Sequence, residues 1–204
     1  MMLAFFATVF LDKNLVVTTS LYGIMVASAI LLVVGSWDDL QEISWKFQLL
    51  GQFLASVVVF SLGVRIYYIT NPLTGGIINF DSLIKVIFSV ILVVLWIIFM
   101  MNSMNWLDGI DGLSGGVAFI GAITIFILSL KPEVNQPPMA IISVIFAGAT
   151  LGFLVFNFYP SRIMAGTSGA TFMGFILAVM AIFAGTKIAT SILVLSLPGM
   201  DFVR

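Results

Sequence analysis

The chain has 204 residues, 61% hydrophobic and 8% charged, with a net charge of −1 and a mean hydropathy of +1.22. A water-exposed surface normally carries about 25% charged residues, so a soluble domain is excluded, and nothing in the charge suggests a nucleic-acid partner. Cys and His are both absent, which removes thiol chemistry and the commonest general base; any catalysis must use Asp, Glu, Asn, Lys or Arg.

Residues 1–11 are apolar but too short to span a bilayer. They lack a basic leader and a small-residue cleavage site, so they do not read as a signal peptide. They read as the tail of a helix, broken by Asp12-Lys13-Asn14. Residues 18–37 form the first full span, ending at Asp38-Asp39. A polar stretch covers 38–46 and a second span 47–64. Residues 65–82 alternate β-formers around Asn71-Pro72 and Gly75-Gly76, the pattern of a small hairpin outside the bilayer. Further spans cover 83–104, 113–130, 139–156 and 169–185, with a slightly short last one at 188–200. Most have the length that about 30 Å of hydrocarbon requires, and long apolar runs exclude a β-barrel. The predicted fold is an all-α polytopic membrane protein. It has about seven full transmembrane helices, a partial N-terminal one and a small β-hairpin, in a single domain over 1–204.

Counting spans puts four polar clusters on one membrane face, because two spans separate each from the next: Asp38-Asp39, 102–111, 157–167 and 201–204. Six of the nine acidic residues fall there: Asp38, Asp39, Glu42, Asp108, Asp111 and Asp201. The opposite face receives Lys13, Arg65, Lys85, Lys131 and Lys187. Polar groups at membrane depth are costly, so such a cluster is a functional-site hypothesis by default.

Asp38 and Asp39 are adjacent carboxylates at a span end. They repel by about 1 kcal/mol in water and several times more at lower dielectric; a divalent cation would relieve this. A solvated helix end would place them there too. Residues 101–116 read M-N-S-M-N-W-L-D-G-I-D-G-L-S-G-G. Asn102, Asn105 and Asp108 recur every three residues and form one stripe on a helix end, where Asn105 and Asp108 together suit a cation or a nucleotide. Asp111 continues the spacing, with Gly109 and Gly112 breaking the helix between. The bland alternative is a Gly-capped helix end with Asp111 or Ser114 capping the next one. Residues 157–169 read N-F-Y-P-S-R-I-M-A-G-T-S-G. The turn Gly166–Gly169 leads at once into a helix, so its free N–H groups suit a phosphate, and Arg162 suits another phosphate oxygen. A capped turn between spans is the plainer reading.

These motifs, in this order, resemble a family. D-D-x-x-x-I-S-x-K-x-x-L-L-G-Q (38–52) precedes N-x-x-N-x-x-D-G-x-D-G-L-x-G-G (102–116). N-F-x-P-x-R-I (157–163) follows with G-x-S-G (166–169), then L-P-x-x-D (197–201). The pattern is similar to the polyprenyl-phosphate N-acetylhexosamine-1-phosphate transferases, the MraY, WecA and TagO group of glycosyltransferase family 4, over essentially the whole chain. The resemblance implies transfer of a sugar-1-phosphate, GlcNAc-1-phosphate foremost, from a UDP-sugar to undecaprenyl phosphate. UMP is released, with Mg²⁺ as cofactor, at the cytoplasmic face of a bacterial-type membrane, for cell-wall or surface polysaccharide synthesis.

It further implies Asp38, Asp39, Asp108 and Asp111 as catalytic residues, the first two at the acceptor phosphate. Asn105 becomes the metal ligand. Asn102, Asn157, Arg162, Gly166 and Ser168 become substrate-binding, with Asn157 in the nucleotide pocket. The expected partners are UDP-N-acetylhexosamine, undecaprenyl phosphate and the bilayer, with room for a homodimer. Three departures stand out. Thr167 occupies the position of the family's metal-binding Asp. Met164 replaces an aromatic residue. Both ends look cut, which predicts a fragment. The rival class is a non-catalytic membrane protein: an impaired copy, a scaffold or a transporter.

Overall fold

A computed structural model describes residues 1–11, 18–70, 77–79, 82–132 and 134–183. Seven helices run over these residues: α1 (Met2–Leu11), α2 (Thr19–Gln41), α3 (Trp45–Ser61), α4 (Leu83–Leu107), α5 (Leu113–Ser129), α6 (Pro137–Asn157) and α7 (Gly166–Phe183). Strands β1 (Tyr68–Thr70) and β2 (Ile77–Asn79) pair antiparallel between α3 and α4, with Ile69 opposite Ile78. The turn joining them, expected at Asn71-Pro72 and Gly75-Gly76, lies outside the described residues, as do the expected last span at 188–200, Lys187 and Asp201.

Four helices, α2, α4, α6 and α7, are long and apolar enough to cross a membrane; α3 and α5 are apolar but have 17 residues each. At about 1.5 Å per residue these two reach about 25 Å, the short end of the spanning range. Thus seven full spans were expected, and four among the described residues meet the length.

The helix ends follow local chemistry. Thr18 caps α2 by accepting the Leu21 N–H, and Pro137 and Pro138 open α6, where a missing N–H and a fixed φ cost nothing. α2 stops where Glu42 takes a left-handed φ of 46° and donates its N–H to the Asp38 carbonyl. Two boundaries differ from the sequence reading. Asp38 and Asp39 lie inside the last turn of α2, so the polar stretch expected at 38–46 shrinks to three non-helical residues, 42–44. And α7 begins at Gly166, three residues before the expected span, because carboxylates from elsewhere satisfy its first N–H groups.

α7 is the central helix. Every residue from Ala170 to Ala181 is buried, and α7 packs most extensively against α4 and α2. The helices meet closely: a Cβ on Gly174 would lie 2.5 Å from the Met100 carbonyl oxygen of α4. α1 is fastened by Phe5, whose ring stands edge-to-face 5.9 Å from Phe146 of α6 and 5.9 Å from Phe172 of α7. The outer surface is apolar, with Val33, Leu95, Ile120 and Val155 all exposed, while Gln52, Ser114, Ser143, Thr150 and Asn157 are buried. Leucine outside and amide inside is the arrangement expected when the surrounding solvent is hydrocarbon.

Candidate active site at one end of the bundle

The helices alternate in direction, so the C-terminal ends of α2, α4 and α6 share one end of the bundle with the N-terminal ends of α3, α5 and α7. Hydrogen bonds spanning up to 129 residues of sequence establish this directly. The single-face arrangement expected for 38–39, 102–111 and 157–167 is therefore present.

The first turn of α7 is the hub. Thr167 donates its N–H to Asp39 Oδ1 at 2.7 Å and its hydroxyl to Asp38 Oδ2 at 2.6 Å. Ser168 donates its N–H and its hydroxyl to Asp39 Oδ2, at 3.2 and 2.8 Å. Gly166 donates its N–H to Asp108 Oδ2 at 3.1 Å. Two carboxylates thus cap the helix and sit against its positive end. Gly166 has φ +65°, and a Cβ there would meet Asp39 Oδ1 at 2.8 Å; only glycine combines that backbone with such an approach. The free N–H groups that sequence alone assigned to a phosphate are, in this structure, engaged by Asp39 and Asp108.

Asp108 follows α4 directly, outside the spanning helix, and its carboxylate is buried. Ser114 donates its hydroxyl to Asp108 Oδ1 at 2.7 Å. Burial pushes this carboxyl above its ordinary range, against the lowering effect of Ser114 and the N–H groups of Gly166 and Ala165; the charge of Asp39 pushes it up as well. So Ser114 does not cap α5 as the bland reading had it. Gly112, at φ 75°, is the N-cap, with no side-chain hydrogen bond.

A second set of bonds joins the turn between α4 and α5 to the connection between α6 and α7. Asn157, 2% exposed, accepts the Gly112 N–H at 3.0 Å and donates to the Ile163 carbonyl at 2.9 Å. Ser161 donates its N–H to Asp111 Oδ2 at 3.0 Å and its hydroxyl to Asp111 Oδ1 at 2.8 Å. Those two bonds, the hydroxyl's foremost, hold the Asp111 carboxyl below the usual carboxylate range. Arg162 is exposed on the same connection, and its N–H bonds to the Phe156 carbonyl.

The stripe on α4 divides. Asn102 turns inward and pairs with Gln52 of α3, donating at 2.7 Å and accepting at 3.4 Å, and also donates to the Ile98 carbonyl. Asn105 is half-buried one turn before Asp108. Sequence reasoning missed Ser114, Ser161 and the Gln52–Asn102 pair as parts of this end. Ser114 and Gln52 stand inside quoted motifs, so only their partners were hidden.

Residues 21–185 match the family described as glycosyl transferase family 4. A decaprenyl-phosphate N-acetylglucosaminephosphotransferase of Mycobacterium tuberculosis is 32% identical over 175 residues, covering 82% of this chain and 42% of the relative. A probable undecaprenyl-phosphate N-acetylglucosaminyl 1-phosphate transferase of Bacillus subtilis is 27% identical over 197 residues, covering 94% and 53%. A putative UDP-N-acetylglucosamine–dolichyl-phosphate N-acetylglucosaminephosphotransferase of Sulfolobus acidocaldarius is 29% identical over 154 residues, covering 74% and 45%. The chain spans about half the length of these curated relatives. With the match covering most of the chain and four apolar helices of spanning length, this is a multi-pass membrane protein that belongs to glycosyl transferase family 4, the MraY/WecA-like family its motifs resemble.

Proposed function

We propose that this chain forms the active end of an enzyme that transfers N-acetylglucosamine-1-phosphate from UDP-GlcNAc to a polyprenyl phosphate, undecaprenyl phosphate foremost, releasing UMP. One observation carries the proposal: Asp38 and Asp39 from α2 and Asp108 after α4 converge on the first turn of α7, at the end of an otherwise apolar bundle. The relatives' names share N-acetylglucosamine and a polyprenyl phosphate and differ in the polyprenyl chain.

The reaction joins an acceptor phosphate oxygen to the sugar-bearing phosphorus and breaks that phosphorus's bond to the oxygen of the departing UMP. A phosphomonoester has a second pKa of about 6, so the acceptor is mostly ionised at neutral pH and asks little of a base. Positioning and charge neutralisation then dominate the rate. As they stand, the three carboxylates are turned to N–H and hydroxyl donors, and among the described residues no group of three or more acidic side chains is placed to hold a metal ion. The donors are nonetheless all oxygens, the kind that a hard divalent cation such as Mg²⁺ takes. By the resemblance Asn105 would be a ligand of the ion, which would supply positive charge for the pyrophosphate; Asp38, Asp39 and Asp108 would join it only on giving up their bonds to α7. Thr167 contributes a hydroxyl to Asp38 where a further carboxylate is usual, so binding should be weak. Asp111 and Asn157, bound across to the neighbouring connection, border the donor side. The site faces the cytoplasm from a bacterial-type cytoplasmic membrane.

The test is direct. Membranes containing the protein, given UDP-GlcNAc, Mg²⁺ and undecaprenyl, decaprenyl or dolichyl phosphate, should yield lipid-linked GlcNAc and equimolar UMP. Asp39→Asn should abolish the product. No Mg²⁺-dependent product with any acceptor refutes the reading; UDP-GlcNAc binding without turnover points to a non-catalytic relative.

A further inference from the structure

Of the four aspartates, Asp111 is the one held away from the first turn of α7. It stands on the five-residue turn 108–112 between α4 and α5, and among the described residues no hydrogen bond from that turn fixes its carboxylate. Ser161 does, with one donor on each carboxylate oxygen, its N–H on Oδ2 and its hydroxyl on Oδ1. Two donors on two oxygens set both the position of the carboxylate and the plane in which it lies. Fifty residues separate the partners, so the bond joins two connections rather than shaping one.

Three tethers tie those connections together, and each is built differently. Asp108 to Gly166 uses a buried carboxylate. Asn157 to Gly112 uses a buried amide. Asp111 to Ser161 is the outermost, and its loss would leave the inner two intact. We infer that Ser161 is a positioning residue: it orients Asp111 and fixes the separation of the two connections that border the donor side of the site. Resting on the function proposed above, this latch sets affinity for the nucleotide sugar more than it sets turnover.

Ser161→Ala removes the hydroxyl and leaves the N–H bond. In the protein assayed with UDP-GlcNAc and undecaprenyl phosphate it should raise KM for UDP-GlcNAc about 3- to 10-fold with kcat within about twofold, the size expected when one of two charge-assisted bonds to a half-buried carboxylate is lost. Ser161→Thr, which keeps a hydroxyl, should return KM to within about twofold of the parent. In an Asp111→Asn background, Ser161→Ala should add less than it does alone, the mark of a shared interaction. Hydrogen exchange of the purified protein provides a substrate-free reading. Ser161→Ala should speed exchange across residues 158–165 and 109–112, with α7 unaltered.

Unchanged KM and exchange, fully additive KM effects, or a loss confined to kcat would overturn the inference. If the parent protein makes no lipid-linked product, the proposed function falls, and the exchange experiment still decides whether the latch exists.

Discussion

Gly35 offers the sharpest perturbation of the proposed site, because it has no side chain of its own to take part in the chemistry. It lies on the face of α2 against α7, and a Cβ built there would sit 2.4 Å from Ser168 Cα and 2.8 Å from both Ser168 N and Cβ. Ordinary contact begins at 3.4 Å, so Gly35→Ala must drive the start of α7 away from α2 by about 1 Å. No flexible side-chain end is available to yield, because the atoms it meets are backbone and the first side-chain atom.

Overpacking of this kind costs about 1–3 kcal/mol. The same shift stretches the Thr167 N–H bond to Asp39 from 2.7 Å to about 3.7 Å, outside hydrogen-bonding range. A misplacement of about 1 Å in a catalytic group costs about 100-fold in rate. The comparison is Gly148→Ala on α6, where a Cβ meets nothing within 4 Å; it should be neutral or slightly stabilising through helix propensity, by up to about 1 kcal/mol. Both variants should be purified in detergent and assayed for thermal unfolding and for lipid-linked product. Gly35→Ala should unfold at lower temperature and lose 10- to 100-fold in kcat, by the misplacement argument. If it matches Gly148→Ala in both measurements, the tight α2–α7 contact does not set the site.

Three further outcomes are expected. Ser114→Ala removes a bond that lowers the Asp108 pKa, so the pKa rises further; if Asp108 works ionised, the acidic limb of the kcat/KM profile moves to higher pH and the alkaline limb stays. Asn102→Leu strands the amide of Gln52, 3% exposed, and should cost about 1–3 kcal/mol by denaturation, most of it recovered in the double variant with Gln52→Leu. Thr167→Asp adds a carboxylate beside Asp38 and should reduce the Mg²⁺ needed for half-maximal activity about 10- to 100-fold, the range typical of a lost or gained metal-site partner; in the absence of Mg²⁺ the variant should unfold earlier than the parent, and an unaltered Mg²⁺ requirement would refute Thr167 as the weak point.

What was legible in the sequence came from the apolar runs: they gave the helices, four of which reach spanning length among the described residues, and counting them placed the aspartates at one end. The start of α7 was not legible. Free helix N–H groups at Gly166–Ser168 look the same in sequence whether an anion or a carboxylate 128 residues away satisfies them. The start of α3 was hidden for a simpler reason. Ser44-Trp45-Lys46 reads as polar, yet Ser44 sits extended at the N-cap and Trp45 and Lys46 already belong to the helix. Ser161 carried no local signal at all, because a lone serine in a loop gains meaning only from the carboxylate that faces it. The Asn102–Asp108 spacing correctly gave a helical stripe, but not that Asn102 would turn into the bundle to meet Gln52.

The central place of α7 also orders events in time. Ribosomal synthesis delivers α2 long before α7, so Asp38 and Asp39 enter the membrane about 130 residues ahead of the groups that cap them. Until then only water can answer the two carboxylates, which keeps that end of α2 at the wet boundary. A nascent chain that stops short of α7 lacks the N–H and hydroxyl groups that hold Asp38 and Asp39; the latest made of the described helices is also the one that gathers the aspartates.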